Sequence, residues 1–445
     1  MRVAATYLWG LLVLGLSACG EPAPPTPPRP DVAVVLIDTL RRDHLDLYGY
    51  ERETAPYLRS LADQSAVFER AYSTSSWTAP ATASVFTGLY PPRHGVTLGY
   101  NAYGRVDGEE ESDEPAPELS KLPKDLATMS ELFAEHGYQT FAVGSNLNVS
   151  KARGFARGFD RFESVIKAPA EDLQVSLARW AEERDPSQPS FWYLHFNDVH
   201  KPYTAREPWH EQISGGSRAP RDRYDSEIRA LDEMLASLGA SLGWGEDTII
   251  VVIADHGEEF GDHGGKGHRY RLYGELMNVP MLWHVPGLTD QGTRLDVPVS
   301  LIDVLPTLAD VLGFEDGQAR DGRSLLPAMR GESLEQRPLF AQRRKPNHEP
   351  LLWAVVDGGW KLIFNDGTEQ AELFNALEDP LDQVELSQQH PDQVLRLLKL
   401  LESIRAVQPL AADMLAPELD AAMIDHLTEM GYAGGDDEDD EDDED

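Results

Sequence analysis

The apolar residues of this chain fall into short unbroken runs that alternate with longer stretches of helical spacing. The runs Val32 to Ile37, Phe191 to Phe196 and Thr248 to Ala254 have the composition of strands buried on both faces of a parallel sheet. Between the last two, apolar residues recur at helical intervals over Tyr224 to Leu242, which predicts a helix packed on that sheet. The alternation predicts an α/β fold with a mostly parallel central sheet covered by helices on both faces.

Further segments extend this pattern and then change it. Helices are predicted over residues 55–64, 128–136 and 170–183, and a strand over residues 140–143. In the last third, Leu351 to Val356 and Trp360 to Phe364 flank Asp357-Gly-Gly, which is a hairpin signal. A strand at residues 372–374 and a helix around residues 393–404 complete the prediction of a smaller C-terminal α+β subdomain.

Residues capable of chemistry follow two of the apolar runs. Asp38 comes directly after the first run, and Asp255-His256 closes the third. Carboxyl ends of buried parallel strands deliver polar groups into one crevice, and carboxylates with an imidazole there indicate a hard or borderline divalent cation. Each residue has a structural alternative. Asp38 could cap a helix, and Asp255-His256-Gly257 could form only a turn.

Two other segments carry a nucleophile and an imidazole. Thr78 opens the segment Thr-Ala-Pro-Ala-Thr-Ala-Ser-Val-Phe-Thr-Gly that ends at Gly88, and His200 lies in Asp198-Val-His-Lys-Pro-Tyr. Taken singly, Thr78 could be a capping hydroxyl and His200 a loop histidine. Their order along the chain, together with Asp38 and Asp255, favours one shared site.

The chain resembles the sulfatase family of the alkaline phosphatase superfamily, in particular its bacterial branch. The resemblance runs from about Val32 to Leu386. The segments that carry it are Val34 to Tyr50, Thr54 to Leu58, Phe68 to Ser73, Thr78 to Gly95, Asp255 to Gly264, Ile302 to Leu308 and Gly322 to Pro327.

The resemblance implies an alkaline-phosphatase-like fold and an ester hydrolase with one divalent cation. Asp38, Thr78, Asp255 and His256 are the implied metal ligands, with calcium the first candidate and magnesium or manganese the alternatives. Thr78 takes the nucleophile position. His200 is the candidate for protonating the leaving oxygen or holding the anion, since histidine exchanges protons near neutral pH.

One departure from the family pattern changes the expected chemistry. The family carries Cys or Ser in Cys/Ser-x-Pro-x-Arg, which matures to formylglycine, but this chain has Thr78 in the first position and Thr82 in the Arg position. Threonine cannot become that aldehyde, so a sulfated Thr78 would lack the usual elimination step. Direct displacement by water, as in phosphatases with a Ser or Thr nucleophile, shifts the expectation toward phosphate esters.

The anion clamp of the family is also altered. Its Gly-Lys-x-His motif aligns with Gly144-Ser-Asn-Leu-Asn, and the local substitutes for a second lysine are Lys266, His268 and Arg269. We expect Asn146, His268 and Arg269 to orient substrate oxygens, with Lys266 less favoured. Arg41 and Arg93 are expected to brace the site through carboxylate pairs.

Composition supports an enzyme of this size and excludes one class of partner. The chain has 445 residues, 41% hydrophobic content and a formal net charge of −37. Nucleic-acid binding needs clustered Lys and Arg, so nucleic acid is excluded as a partner. The last ten residues, 436–445, are all acidic and are expected to be disordered and solvated, with weak calcium capture as the alternative.

The N-terminus predicts a compartment. An apolar stretch from about Tyr7 to Leu16 is too short to span a membrane and ends in Leu16-Ser-Ala-Cys19, which resembles a bacterial lipobox. The alternative is an ordinary signal peptide with a chance cysteine. We expect acylation of Cys19, anchoring through that lipid, and a place at the cell envelope on the periplasmic or outer-membrane side.

These observations predict a domain order and a function. The expected order is a signal peptide (1–18), a lipidated Cys19 with a Pro-rich linker (19–30), a catalytic domain (31–335), a C-terminal subdomain (336–433) and an acidic tail (434–445). The predicted function is metal-dependent hydrolysis of sulfuric or phosphoric esters at the cell envelope. The alternatives are a non-catalytic binding lipoprotein with this fold and a phosphotransferase that acts on envelope polymers.

Overall fold

The computed structural model describes residues 29–98, 120–165, 168–245, 247–268, 270–344 and 351–410. Cys19, the signal segment, most of the Pro-rich linker, Arg269 and the acidic tail lie outside these residues. None of the helices within them is both long and apolar enough to cross a membrane.

The described part of the chain alternates strands and helices as the apolar pattern predicts. Its strands are β1 (Asp31–Ile37), β2 (Ala66–Phe68), β3 (Ala71–Tyr72), β4 (Gln139–Gly144), β5 (Arg161–Ser164), β6 (Ser190–Phe196), β7 (Thr248–Ile253), β8 (Glu259–Phe260), β9 (Lys266–Gly267), β10 (Asn278–Val279), β11 (Met281–His284), β12 (Thr293–Leu295), β13 (Val299–Ser300), β14 (Leu339–Arg343), β15 (Leu352–Asp357), β16 (Trp360–Asn365) and β17 (Gln370–Asn375). Its α-helices are α1 (Pro56–Ala62), α2 (Thr78–Thr87), α3 (Pro91–His94), α4 (Met129–Glu135), α5 (Ala170–Glu183), α6 (Trp209–Ser214), α7 (Pro220–Leu242), α8 (Gly274–Met277), α9 (Val304–Leu312), α10 (Leu326–Met329) and α11 (Pro391–Arg405).

The central sheet has eight strands in the order β12-β2-β11-β7-β1-β6-β4-β5. The five strands β7, β1, β6, β4 and β5 are parallel, whereas β11 runs antiparallel to β7. β7 and β6 are buried along their whole length, and β1 is buried after its first residue. Burial of every position in a strand requires cover on both faces of the sheet, which confirms the predicted α/β fold with a mostly parallel central sheet.

The register of the parallel strands sets the position of the site. Leu36 of β1 lies opposite His195 on one neighbour and Ile253 on the other. On the next strand, Gly144 lies opposite His195. The carboxyl ends of β1, β4, β6 and β7 therefore meet at one edge of the sheet, and the residues that follow them share a crevice.

The C-terminal residues form a separate antiparallel sheet in the order β14-β15-β16-β17, with α11 packed on β15 and β16. The predicted hairpin is present, with Gly358 at φ 59° and Gly359 at φ 81°. Two consecutive positive φ angles are those of a type I′ turn, whose twist matches the flanking strands and suits glycine at both positions. The sequence prediction missed the first strand of this sheet, β14.

Candidate active site

Asp38 lies in the turn that follows β1, not at the start of a helix. The next residue, Thr39, has a φ of 57°, a left-handed conformation that is unfavourable for a β-branched residue. Its backbone N–H donates to Asp255 Oδ1 at 3.2 Å, so the strained turn links the two aspartates. The N-cap alternative for Asp38 is therefore wrong.

The Asp255 carboxylate is held on one side only. Its Oδ1 accepts the hydrogen bond of Thr39 and that of the His256 backbone at 2.9 Å. Among the described residues, no group donates to Asp255 Oδ2 or to Asp38 Oδ1. Both side chains are completely buried, so two carboxylate oxygens are shielded from water without a hydrogen bond. Such atoms are costly unless a cation satisfies them.

His256 presents an acceptor nitrogen to the same space. Its Nδ1 lies 2.9 Å from the Gly257 carbonyl oxygen, which only accepts, so Nδ1 carries the hydrogen and Nε2 carries the lone pair. Nε2 lies 3.3 Å from Asp255 Oδ2 and 3.9 Å from Asp38 Oδ1. Gly257 is more than a turn residue, because a Cβ there would lie 1.9 Å from the Glu275 carbonyl oxygen.

Thr78 is the first residue of α2, and Trp77 occupies the N-cap position without a side-chain hydrogen bond to the helix. The Thr78 hydroxyl is therefore not a cap. Its Oγ1 lies 3.4 Å from His256 Nε2 and 3.5 Å from Asp38 Oδ2. The helix N-terminus adds partial positive charge at this point, which favours an anionic oxygen.

The electrostatics of the aspartate pair fit a bound cation. Burial, followed by the charge of Asp38, raises the pKa of Asp255 to about 7. Burial also works against ionisation of Asp38, but the hydrogen bond from His195 and the imidazoles around it outweigh burial and lower its pKa. Two adjacent buried carboxylates resist joint ionisation unless a cation lies between them. The bare oxygens, the imidazole nitrogen and the hydroxyl together are a donor set for one divalent cation.

The structure adds His195 and Asn197, which the sequence analysis did not select. His195 Nε2 lies 3.2 Å from Asp38 Oδ2, and ligand atoms of Asp38, His195 and Asp255 all lie within 4.8 Å of one another. The available signal was a polar residue in the otherwise apolar run Phe191 to Phe196. Asn197 follows the same strand and bonds Asn146.

Asn146 lies at the site but is engaged within the protein. Its amide nitrogen donates to Asp38 Oδ2 and, at 3.1 Å, to Asn197 Oδ1. Its amide oxygen accepts from the Asn148 backbone at 2.9 Å. The contacts orient Asp38, and a direct contact of Asn146 with substrate stays a prediction.

His200 and His268 lie beside His256. The ring of His268 lies 4.6 Å from that of His256 and 5.0 Å from that of His200, between centroids. His200 Nδ1 lies 2.7 Å from the Lys201 carbonyl oxygen, and His268 Nδ1 lies 3.0 Å from the buried Glu258 carboxylate. All three rings are thus anchored at Nδ1, and Nε2 is their remaining nitrogen. Lys266 is exposed on β9.

Arg41 and Arg93 both pair with carboxylates, Arg41 in the loop that follows β1 and Arg93 beyond the C-terminal end of α2, so bracing of the site by Arg93 stays a prediction. Arg41 is buried and pairs with Asp43 at 2.7 Å and Asp262 at 2.8 Å. Arg93 pairs with Asp321 at 2.9 Å. These pairs attach the loops after β1 and β7 and the segment after α2 to the rest of the fold.

The chain is similar to known proteins in sequence and in fold. Residues 30–314 match the sulfatase family. Delta 4,5-hexuronate-2-O-sulfatase of Bacteroides thetaiotaomicron is 23% identical over 383 residues, covering 72% of this chain and 75% of that protein. N-acetylgalactosamine-6-sulfatase of Canis lupus familiaris is 25% identical over 425 residues, covering 84% and 78%.

A solved structure shows the same fold at lower identity. The phosphonate monoester hydrolase of Agrobacterium radiobacter superposes with a TM-score of 0.71 and 18% identity, over 85% of this chain and 96% of that chain. Because the family match spans more than half of the sequence, the chain belongs to the sulfatase family and is an ester hydrolase of the alkaline phosphatase superfamily.

Proposed function

We propose that the protein is a metal-dependent hydrolase of phosphorus esters that acts at the cell envelope with Thr78 as nucleophile. The observation that supports this most directly is the position of Thr78 Oγ1, at the N-terminus of α2 and 3.4 Å from His256 Nε2. The residues that would hold the cation are Thr78, Asp38, Asp255 and His256. A divalent cation supplies positive charge that stabilises an ionised hydroxyl and the charge of the transition state.

The donor set suits a hard or borderline ion. Asp38 Oδ1, Asp255 Oδ2 and Thr78 Oγ1 are oxygen donors and His256 Nε2 is a nitrogen donor, which suits calcium, magnesium or manganese. Calcium is the ion that the sulfatase family favours, and the single imidazole also admits manganese.

The first chemical step transfers the phosphoryl group to Thr78. Oγ, which has already lost its proton to water, attacks phosphorus in line, and the bond from phosphorus to the ester oxygen breaks. The departing oxygen takes a proton from Nε2 of His200, whose Nδ1 is fixed on the Lys201 carbonyl. His268, held by Glu258, contacts the oxygens that stay on phosphorus, and Arg269 stays a second candidate from the sequence alone.

The second step returns the free enzyme. Water attacks the phosphothreonine, the bond between phosphorus and Oγ breaks, and His200 takes the proton that water releases. Each proton given to the leaving group in the first step is thereby recovered in the second. The net reaction is hydrolysis of one ester bond.

Thr78 favours phosphorus over sulfur in this scheme. Its Cβ carries a methyl group, so oxidation would give a ketone and not the aldehyde on which the family's sulfatases depend. A sulfated threonine has no geminal hydroxyl to drive elimination. A phosphothreonine is released by displacement at phosphorus, which needs no such group.

The test compares wild type and Thr78→Ala on aryl phosphate, aryl phosphodiester, aryl phosphonate and aryl sulfate. We expect the wild type to turn over at least one phosphorus ester faster than the sulfate. Loss of the nucleophile should lower kcat by about 10³-fold or more, while the aspartates retain the cation.

Thr87→Ala is the matched control, because Thr87 is a buried threonine on the same helix whose hydroxyl donates to the Ala83 carbonyl, at 2.6 Å, within the helix. It should keep wild-type turnover. Faster sulfate turnover that disappears in Thr78→Ala would overturn the preference for phosphorus. Equal activity in Thr78→Ala and wild type would remove Thr78 as nucleophile and favour a binding role or another mechanism.

The envelope location rests on the sequence around Cys19. We propose that acyl chains on this cysteine anchor the protein, because the apolar stretch before it is too short to span a membrane. The Pro-rich residues that follow would then form a spacer between lipid and enzyme.

Cys19→Ala tests the anchor. The variant should leave the membrane fraction, and mass spectrometry of the wild-type N-terminus should find lipid on Cys19. Cys19 is the only cysteine of the chain, so thiol labelling of the mature protein gives an independent readout. A mature N-terminus that lies beyond residue 19 would contradict the assignment.

A further inference from the structure

His195 is a completely buried imidazole that the proposed reaction does not use. It lies on β6 between two partners, with Nδ1 3.1 Å from the Tyr193 hydroxyl and Nε2 3.2 Å from Asp38 Oδ2. A polar ring at the centre of a sheet is costly unless both nitrogens are satisfied. Here both of them have partners.

The partners decide where the ring hydrogen is. An ionised Asp38 carboxylate only accepts, so His195 Nε2 carries the hydrogen and donates it. Nδ1 then has the lone pair and accepts from the Tyr193 hydroxyl. In this tautomer Nε2 has no lone pair to offer a cation, although it lies close to the ligand oxygens.

The contacts of Asp38 divide its two oxygens. Oδ2 receives the hydrogen bonds of His195 and Asn146 and a long one, at 3.5 Å, from the Thr78 hydroxyl, whereas Oδ1 receives none from the described residues. The carboxylate is thus oriented with one oxygen held by protein and the other directed at the space shared with Asp255 and His256.

We propose that His195 is a positioning residue for the metal site, which acts through Asp38 and is itself oriented by Tyr193. The proposal rests on the metal site of the proposed function. The competing role is direct ligation, which the proximity of His195 to the oxygens of Asp38 and Asp255 would also allow. The positioning role and the ligand role predict different effects of substitutions at His195 on metal binding.

His195→Gln and His195→Leu separate them. Glutamine places an amide N–H near the position of Nε2, so it keeps the donor but cannot supply an imidazole ligand. If His195 positions Asp38, His195→Leu should weaken manganese binding about 10- to 100-fold, and His195→Gln should stay within about threefold of wild type. Calorimetric titration of the metal-free proteins with Mn²⁺ measures both.

Cobalt substitution gives a readout that depends on the ligands alone. With Co²⁺ bound, the visible absorption of His195→Gln should match wild type, because the ligand set is unchanged. A changed Co²⁺ spectrum in His195→Gln would show that His195 is a ligand, and it would overturn the proposal.

Tyr193→Phe keeps the imidazole and removes the hydroxyl that orients it. This variant tests the proposal even if His195→Leu does not fold. It should weaken Mn²⁺ binding about 3- to 10-fold with an unchanged Co²⁺ spectrum. Unchanged affinity in both Tyr193→Phe and His195→Leu would overturn the positioning role and leave the metal site intact. A wild type that binds no metal would overturn the metal site and this proposal together.

Discussion

Asp225 and Asp255 are both completely buried aspartates, yet their surroundings are opposite. Asp225 uses both oxygens, because Oδ1 contacts His44 Nδ1 at 2.6 Å and Oδ2 contacts Arg52 at 2.6 Å and the Tyr50 hydroxyl at 2.8 Å. Asp255 has one oxygen without a hydrogen-bond donor among the described residues, and the charge of the Asp38 carboxylate adds to burial in raising its pKa.

The difference in hydrogen-bond partners distinguishes a carboxylate with a structural role, Asp225, from one that is suited to bind a cation, Asp255. Removing a buried carboxylate that is paired and hydrogen-bonded is strongly destabilising, because its partner is left buried without a compensating charge. An unpaired buried carboxylate beside a second carboxylate destabilises the fold, so its presence is better explained by function than by stability. The Asp225 network attaches the loop after β1 to α7, whereas the Asp255 side chain is arranged for a cation.

The largest effect should come from breaking the paired aspartate. Asp225→Asn keeps the shape but removes the charge opposite Arg52 and His44. We expect it to lower the free energy of unfolding by about 3 kcal/mol, the lower end for a broken buried pair because Arg52 is partly exposed. Urea unfolding followed by tryptophan fluorescence measures the change. A loss below about 1 kcal/mol would mean that Asp225 is not the structural charge described above.

Substitution of the unpaired aspartate, Asp255, should change the free energy of unfolding in the opposite direction. In metal-free protein, Asp255→Asn removes the repulsion with Asp38 and should raise the free energy of unfolding by about 2 kcal/mol. With metal at 100 times its Kd, wild type should gain about 2.7 kcal/mol over the chelated protein, and the variant should gain little. The same urea titrations, with and without chelator, measure both. Destabilisation of the metal-free Asp255→Asn protein would erase the contrast with Asp225.

The sequence predicted those site residues that can be recognised from a single strand. Asp38 and Asp255 directly follow fully apolar runs, and such runs are recognisable because parallel strands are buried on both faces. The resemblance then assigned ligand and nucleophile roles to Thr78 and His256, and the structure places all four side chains close together.

The part that was missed depends on register between distant segments. His195 meets Asp38 because β6 pairs with β1 in one specific register, and periodicity within either strand does not reveal that alignment. β14 was missed for a related reason. Its last two residues, Gln342 and Arg343, are polar but buried, so the strand lacks the alternation that marks a sheet with one exposed face.

The smallest effect concerns a paired group at the seam with the C-terminal sheet. His263 Nδ1 lies 2.7 Å from Glu275 Oε1, and Nε2 lies 2.8 Å from the Asp382 carbonyl oxygen. Burial alone would lower the His263 pKa, but the hydrogen bond to Asp382 and then the Glu275 carboxylate outweigh it and raise the pKa above the ordinary histidine value.

A raised pKa in the folded state fixes the sign of the pH dependence. The charged ring contributes stability that is fully present below the unfolded pKa of about 6.5 and is lost as pH rises through the higher folded value. His263→Gln, which cannot carry the charge, should therefore be less stable than wild type by about 1 to 2 kcal/mol at pH 6. The gap should narrow toward pH 8 and above.

Thermal unfolding of both proteins from pH 5.5 to 8.5 measures this gap. His136→Gln is the matched control, because His136 is also a partly buried histidine that bonds a backbone carbonyl, that of Leu132 at 2.8 Å, but it pairs with no carboxylate among the described residues. A gap between wild type and His263→Gln that is constant across this range would show that His263 contributes as a neutral ring. Charge pairing would then explain the contribution of Asp225 to stability but not that of His263.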